Sequence, residues 1–244
     1  MKTRRHGFPI SMSEPLWCFS EDATLKSHPE YQQAKAGDIP AAIKLVEDLA
    51  LPFLIQIKNQ LPADVCYVAP HAKEATGDNA IPQVLAQAAA IISGGEIDTD
   101  IVQISRVFHT GADPMERMAT RAEFEGLVTP GKKHILVDDV TTMGGTLAEL
   151  ADYIQNQDGT IAGVLILVNA GRSKELRSEL KTAKLIQSRH ELEIEKILHI
   201  APDALTDNEA NYLIGFRTAD EIRNRLAKAR KETDLRLRSK GIDT

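Results

Sequence analysis

Two adjacent acidic residues, Asp138 and Asp139, precede a segment rich in threonine and glycine at 141–146. Carboxylates orient hydroxyl groups and stabilise developing positive charge. The neighbouring Gly144 and Gly145 allow backbone N–H groups to approach an anion closely. These residue types therefore indicate a site for a ligand that carries both hydroxyl groups and a phosphate.

A buried strand and a helix are predicted to position these residues. Ile135, Leu136 and Val137 form a short apolar run, which is typical of a buried parallel strand. After the loop, apolar residues recur at helical spacing at Leu147, Leu150, Ala151 and Ile154. The carboxylates are thus predicted at the carboxyl end of a strand, where ligands bind in open α/β sheets. The first turn of the helix then offers its N–H groups to the loop.

Residues 134–147 resemble the motif with which type I phosphoribosyltransferases bind phosphoribosyl pyrophosphate (PRPP). That family has a hydrophobic strand, two acidic residues and a loop that closes on Gly-Gly-Thr. The resemblance implies transfer of ribose 5-phosphate from PRPP to a nitrogen acceptor, expected to be a nucleobase, with release of pyrophosphate. It also implies Mg²⁺ as cofactor, held by substrate oxygens and waters rather than by protein ligands, and a homodimer.

The resemblance assigns roles to individual residues. Asp138 and Asp139 are the implied catalytic residues, which hold the ribose hydroxyls. The residues implied to bind the 5′-phosphate are Thr141, Thr142, Met143, Gly144, Gly145 and Thr146. The loop departs from the family at Met143, because the family usually has a second hydroxyl residue there and methionine cannot donate a hydrogen bond. A second hypothesis therefore stays open: a sensor or regulator that binds PRPP or a nucleotide on this fold without turnover.

Two further polar segments follow predicted strands. One lies after the strand predicted at 64–70, and the other is a long excursion from 106 to 126 after the strand predicted at 100–105. By the resemblance, the first contacts pyrophosphate and the second closes over the site as a lid. The candidates for these contacts are His71, Lys73, Arg106, Arg117 and Arg121. A solvated loop and a β-hairpin with a basic edge are the alternatives.

The alternation of strands and helices from 64 to 168 predicts an α/β fold, with an open parallel sheet flanked by helices. We expect a single domain over 1–244, with a core at about 62–188. The N-terminal cap at 1–60 and the C-terminal helical extension at 190–244 are predicted to form a hood. Residues 1–37 are predicted to be irregular. Further predicted elements are helices at 38–60, with Asp38 as its cap, at 173–182 and from about 218, and a short edge strand at 185–186. Thr206 and Glu209 match a capping box.

Composition limits the classes of partner. The net charge of −6 argues against general binding of polyanions, although 221–240 has eight Lys/Arg against three Asp/Glu. At this basic helix a nucleic acid partner is possible but not favoured, because a solvated helix face or a contact with an acidic protein partner is commoner. No apolar run reaches the length of about 18 residues that a membrane span needs, and the start is a poor secretory signal. With two cysteines in no metal-binding spacing, a cytoplasmic protein is expected.

Overall fold

The computed structural model describes residues 2–69, 73–74, 77–105, 112–190 and 193–239, with the backbone alone for 73, 74, 77, 237 and 239. The strands are β1 (Leu16–Phe19), β2 (Cys66–Val68), β3 (Lys73–Glu74), β4 (Gly77–Asp78), β5 (Glu96–Ile97), β6 (Val102–Gln103), β7 (Phe124–Glu125), β8 (Lys133–Thr141) and β9 (Thr160–Asn169). The helices are α1 (Ala23–Ser27), α2 (Tyr31–Lys35), α3 (Ile39–Leu49), α4 (Leu51–Gln56), α5 (Ile81–Ser93), α6 (Pro114–Ala119), α7 (Gly145–Gln155), α8 (Leu180–His190), α9 (Glu193–Leu198), α10 (Asp207–Leu213) and α11 (Ala219–Ser239). Single 3-10 turns occur at Lys58–Gln60 and Pro202–Ala204.

The main sheet has five strands in the order β1-β9-β8-β2-β5, and every neighbouring pair is parallel. β8 is the middle strand, which confirms the buried parallel strand predicted at Ile135, Leu136 and Val137. Its neighbour β9 is apolar over most of its length, because strands covered on both faces have no solvent side to keep polar. The α/β fold class with an open parallel sheet is therefore confirmed.

Helices cover both faces of this sheet. Ile135 and Val137 of β8 pack on one face, in a cluster with apolar residues of α3, α4 and α5. Leu136 packs on the other face, in a cluster with residues of α7. This alternation along β8 follows from the two-residue period of side chains in a strand. The same alternation decides toward which face of the sheet each of the next side chains points, including those of Asp138 and Asp139.

The C-terminal helices form a third cluster beside the sheet. Apolar residues of α8, α9, α10 and α11 pack together there, and Met115 and Met118 of α6 join them. Met115 and Met118 are buried, so α6 belongs to this helical layer. This layer is the C-terminal part of the predicted hood.

The segment between β6 and β7 differs from its prediction. The strand expected at 100–105 is reduced to β6, which lies outside the main sheet and pairs antiparallel with β7. Within the excursion predicted at 106–126, α6 is a folded helix with a capping box formed by Asp113 and Glu116. Pro114 at the first position of α6 and this capping box are local signals, and both favour a helix that is not among the predicted elements.

Two other predictions are wrong. The N-terminal 37 residues are predicted to be irregular, but they contain α1, α2 and β1, which joins the sheet edge beside β9. The helix predicted at 173–182 and the edge strand at 185–186 are replaced by α8. Residues 173–177 are not helical, because Asn208 bonds both backbone groups of Ser173 and Arg177 bridges to Thr206.

Local helix signals are confirmed elsewhere. Asp38 caps α3 by accepting a hydrogen bond from the N–H of Ala41, and the chain turns into α4 beside Pro52. Thr206 and Glu209 form the predicted capping box of α10. The predicted final helix is α11. Among the described residues, no helix is both long and apolar enough to cross a membrane.

We predict that Leu136→Ala lowers the free energy of unfolding by about 2–5 kcal/mol, because it opens a cavity beneath the central strand. Leu136 has no exposed surface. Leu127→Ala is the matched control, because Leu127 is 80% exposed and its loss should change stability by less than about 0.5 kcal/mol. Urea unfolding of both variants tests this. Equal losses would contradict a core centred on β8.

Candidate functional site

Asp138 and Asp139 lie near the carboxyl end of β8, which continues to Thr141 because it stays paired with β9. By strand alternation, Asp139 follows Val137 toward the face covered by α3 and α5, and Asp138 follows Leu136 toward the face covered by α7. The central strand thus directs one carboxylate to each side of its end.

Asp139 is buried and is held by three donors. Its Oδ2 accepts hydrogen bonds from Lys35 Nζ at 3.2 Å and from Asn79 Nδ2 at 3.0 Å. Its Oδ1 accepts from the backbone N–H of Val140 at 2.9 Å. A carboxylate that is 4% exposed needs such partners, because burying it unpaired is costly. Asp139 is therefore fixed in orientation by α2 and by the residue that precedes α5.

Asp138 is half-buried, so a ligand can reach it. Its Oδ1 accepts a hydrogen bond from the backbone N–H of Asp139 at 2.9 Å. Burial and the neighbouring charge of Asp139 raise the pKa of Asp138 well above its usual range, and Lys35 opposes this shift. Of the pair, Asp138 is the accessible group and the one suited to meet a ligand's hydroxyl.

The loop after β8 enters α7 through Gly144, which has a φ of +75°. This conformation favours glycine, and a Cβ there would also crowd Leu176 Cδ2 at 3.2 Å. Within the described part of the chain, no acceptor meets the backbone N–H groups of 142–147. Together with the positive end of the α7 dipole, these N–H groups form a surface suited to an anion.

The residues predicted to bind the 5′-phosphate all lie in this loop or at its edges. Thr142, Gly145 and Thr146 are partly exposed, whereas Thr141 and Gly144 are buried. The loop thus offers two accessible hydroxyls next to its N–H groups. Phosphate binding by these residues stays a prediction.

Met143 takes part in packing. Its half-buried side chain packs against the apolar cluster of the C-terminal helices. Its carbonyl accepts a hydrogen bond of 2.6 Å from the hydroxyl of Thr206, the residue that caps α10. The missing hydroxyl at this position is therefore replaced by an apolar anchor between loop and hood.

Four buried charged residues lie behind the loop. Glu149 of α7 accepts hydrogen bonds from Arg4 at 3.1 Å and from Arg121 at 2.6 and 2.7 Å. Arg4 has no exposed surface and also pairs with Glu209 of α10. Burial raises the pKa of Glu149, against the opposing effect of Arg4 and Arg121. The network ties the N-terminal segment, α7 and α10 together behind the candidate phosphate site.

This network changes the interpretation of Arg121, which the sequence predicts to be a lid residue. Its guanidinium also donates to the carbonyls of Leu198 and His199, so its described contacts are structural. Arg117 of α6 donates to the carbonyl of Ala112 at 3.0 Å and lies in a helix packed on the C-terminal layer. Within the predicted lid, α6 is thus folded against the hood.

The structure describes no side chain for the other candidates for pyrophosphate or lid contacts. His71 and Arg106 lie outside the described residues. Lys73 begins β3, which pairs antiparallel with β4, and only its backbone is described. Their roles stay predictions.

Sequence reasoning missed Lys35 and Asn79, although both contact Asp139. Asn79 carries one local signal, because its side chain also accepts the N–H of Ile81 at the start of α5. Lys35 carries none, since it is 104 residues from Asp139 in the chain. Only packing of α2 beside the sheet brings this cation to the site.

In the described ranges, no group of three or more His, Cys, Asp or Glu side chains could hold a metal ion. The oxygen atoms at the site belong to Asp138 and to the loop hydroxyls. Such hard donors suit Mg²⁺ or its waters better than a soft metal.

Residues 80–194 match the family model of the phosphoribosyl transferase domain. The match begins just after Asn79 and includes β8, the loop and α7. The resemblance of 134–147 to that family is therefore confirmed.

Individual relatives cover different parts of the chain. Protein TraN of Escherichia coli is 38% identical over 215 residues, which are 86% of this chain and 48% of that protein. An adenine phosphoribosyltransferase of Mesoplasma florum is 25% identical over 95 residues, 38% of this chain and 52% of that enzyme. The chain spans about half the length of these curated relatives. The crystal structure of adenine phosphoribosyltransferase from Leishmania donovani shares 14% identity at a TM-score of 0.35, covering 78% of this chain and 72% of that one.

We predict that Met143→Thr destabilises the protein by about 1–2 kcal/mol, because it removes a partly buried apolar anchor. Any PRPP affinity should change by less than about threefold, because the side chain at 143 leaves the loop toward the hood. Met143→Leu keeps the volume and is the control. Thermal unfolding and titration with PRPP measure both effects. Tighter PRPP binding by the Thr variant would show that residue 143 reaches the phosphate.

Proposed function

We propose that this protein transfers ribose 5-phosphate from PRPP to a nitrogen acceptor and releases pyrophosphate. One observation carries the proposal: the accessible carboxylate of Asp138 stands at the end of β8, next to a loop whose N–H groups at 142–147 have no acceptor in the described structure. A sugar phosphate carries a diol and an anion, which these two features can bind together. The family of residues 80–194 supports the same substrate class.

The chemistry needs position and charge more than a nucleophilic side chain. The bond from the anomeric carbon to pyrophosphate breaks, and a bond from that carbon to the acceptor nitrogen forms, through a sugar with developing positive charge. A neutral acceptor gives up its N–H proton to the released pyrophosphate or to water. Asp138 accepts hydrogen bonds from the ribose diol, and Asp139 places a second negative charge nearby. The N–H groups of the loop and the hydroxyls of Thr142 and Thr146 hold the 5′-phosphate.

Mg²⁺ is the proposed cofactor, and it neutralises the charge of the leaving pyrophosphate when bound. The accessible donors at the site are oxygens, which suits this ion. Because Mg²⁺ keeps several waters and binds phosphate oxygens, it would enter with PRPP and require no cage of protein ligands.

The acceptor is proposed to be a nucleobase. The name of the Mesoplasma florum relative, an adenine phosphoribosyltransferase, supports a base of this kind. The acceptor would lie between the carboxyl edge of the sheet and the hood, as ligands do in open α/β folds. Purines and pyrimidines are both candidates.

A second candidate function is a sensor that binds PRPP or a nucleotide without turnover. The specific observation that favours it is Met143, whose side chain packs into the C-terminal helices and whose carbonyl is bonded by Thr206. A ligand that moves this loop would also act on the helical layer. Occupancy of the site would then be transmitted to α10 and α11, where a partner could read it.

Incubation with labelled PRPP, Mg²⁺ and a panel of purine and pyrimidine bases separates these functions. Pyrophosphate release that depends on one base supports the transferase. PRPP binding by calorimetry without release for any base supports the sensor. No PRPP binding by the intact protein would contradict both.

Asp138→Asn should weaken PRPP binding by about tenfold or more, because a charged acceptor of the ribose hydroxyls is lost. Thr142→Val is the matched control, because it removes one loop hydroxyl, leaves both carboxylates intact and should have the smaller effect. Calorimetric titration with PRPP and Mg²⁺ measures both. Unchanged affinity in Asp138→Asn would contradict its role.

The same substitution should raise stability at neutral pH. Since the folded-state pKa of Asp138 is raised, its contribution is fully present below the ordinary carboxyl value of 3.8 and is lost as pH rises through the folded value. Asn does not ionise, so Asp138→Asn removes this pH-dependent loss of stability. Urea unfolding from pH 4 to 8 should therefore show a gain that grows with pH, and a variant less stable than the parent at pH 7 would contradict it.

A further inference from the structure

The N-terminal helix α2 brings a cation into the candidate ribose site. Lys35, in its last turn, places Nζ 3.2 Å from Asp139 Oδ2, and its side chain is 17% exposed. Asn79 donates to the same oxygen at 3.0 Å. A lysine at the end of a helix commonly interacts with the helix dipole in solvent. Lys35 differs because it is largely shielded and its ammonium contacts a buried carboxylate.

The packing of α2 fixes where Lys35 can reach. Ala34 is fully buried, and its carbonyl accepts the N–H of Ala80 at 3.1 Å. Gly37, with a φ of +100°, lies so close to Asp78 that a Cβ would be 2.8 Å from its carbonyl oxygen. These contacts join the end of α2 to both sides of Asn79. Lys35 and Asn79 therefore approach Asp139 as parts of one packed unit.

Charge repulsion acts within the carboxylate pair. The charge of Asp139 raises the pKa of Asp138, and Lys35, which pairs with Asp139, lowers it. Two carboxylates in sequence repel each other, and burial strengthens that repulsion. Lys35 offsets this repulsion from the face of the sheet that α3 and α5 cover.

We propose that Lys35 is a positioning residue of the PRPP site, which compensates the charge of Asp139, fixes its orientation and leaves Asp138 to accept the ribose hydroxyls. The proposal rests on the proposed function, and it makes α2 of the N-terminal cap a part of the site. The cap residue acts through Asp139 and has no assigned contact with the ligand.

Three variants test this in the full chain. Lys35→Ala removes the cation and Lys35→Arg retains it. Lys26→Ala is the matched control, because it removes the same charge from the same cap. Lys26 pairs with Asp22 at the surface, and its side chain is 57% exposed. Calorimetric titration with PRPP and Mg²⁺ is carried out between about pH 5.5 and 8.5, and thermal unfolding is measured in parallel.

Lys35→Ala should weaken PRPP binding by about 10- to 100-fold at pH 7, since a charged hydrogen bond that orients Asp139 is lost. Its binding midpoint should also move to higher pH, because Lys35 lowers the pKa of Asp138 and its removal leaves that pKa higher. Lys35→Arg should recover most of the affinity, and Lys26→Ala should bind as the parent does. A purely structural role would lower the melting temperature without moving the pH midpoint.

Failure of this inference and failure of the proposed function are distinguishable. Binding of PRPP by Lys35→Ala with the affinity and pH midpoint of the parent would overturn the role of Lys35 and leave the proposed function intact. If the parent itself binds no PRPP, the proposed function fails. A ¹³C titration of the aspartate carboxyl groups in ligand-free protein then tests the interaction of Lys35 with the carboxylate pair by itself. If Lys35→Ala leaves the titration of the pair unchanged, the role of Lys35 is overturned. A shift of that titration to higher pH supports it.

Discussion

The end of the central strand must accommodate two adjacent carboxylates beside an apolar core. Asp139 is buried and meets this constraint with Lys35, Asn79 and a backbone N–H. Asp138 remains half-buried, and its pKa is raised by burial and by Asp139. α2 and the segment before α5 supply this compensation through Lys35 and Asn79. Asp138 is the carboxylate left accessible, at the edge where ligands bind in parallel sheets.

The loop beside these carboxylates is held from behind by the hood. Thr206 bonds the carbonyl of Met143, and the side chain of Met143 packs among the C-terminal helices. Beneath them, Arg4 and Arg121 compensate the buried Glu149, and Arg4 also pairs with Glu209. Loss of one member would leave a buried charge without its partner, which destabilises strongly. The loop and the C-terminal helices are therefore joined by packing and hydrogen bonds, whether the site performs transfer or signals occupancy.

Features encoded within a short stretch of chain could be predicted from sequence. The apolar run before Asp138 identified the central strand, and Asp38 and Thr206 marked helix starts, because strand period and capping depend on neighbours a few residues apart. The motif at 134–147 identified the family for the same reason. Local signals failed around Ser173, where hydrogen bonds from Asn208, 35 residues away, override the helical pattern.

The sequence by itself determined the parallel sheet, the acidic pair at the end of its central strand and the glycines that let the chain turn into α7. The tertiary structure alone decided what surrounds them. It brought Lys35 across 104 residues to Asp139, turned Met143 into the hood and placed Arg121 in a buried network with Glu149. The physical reason is that charge compensation and close packing depend on distances in space, which residue spacing along the chain does not specify.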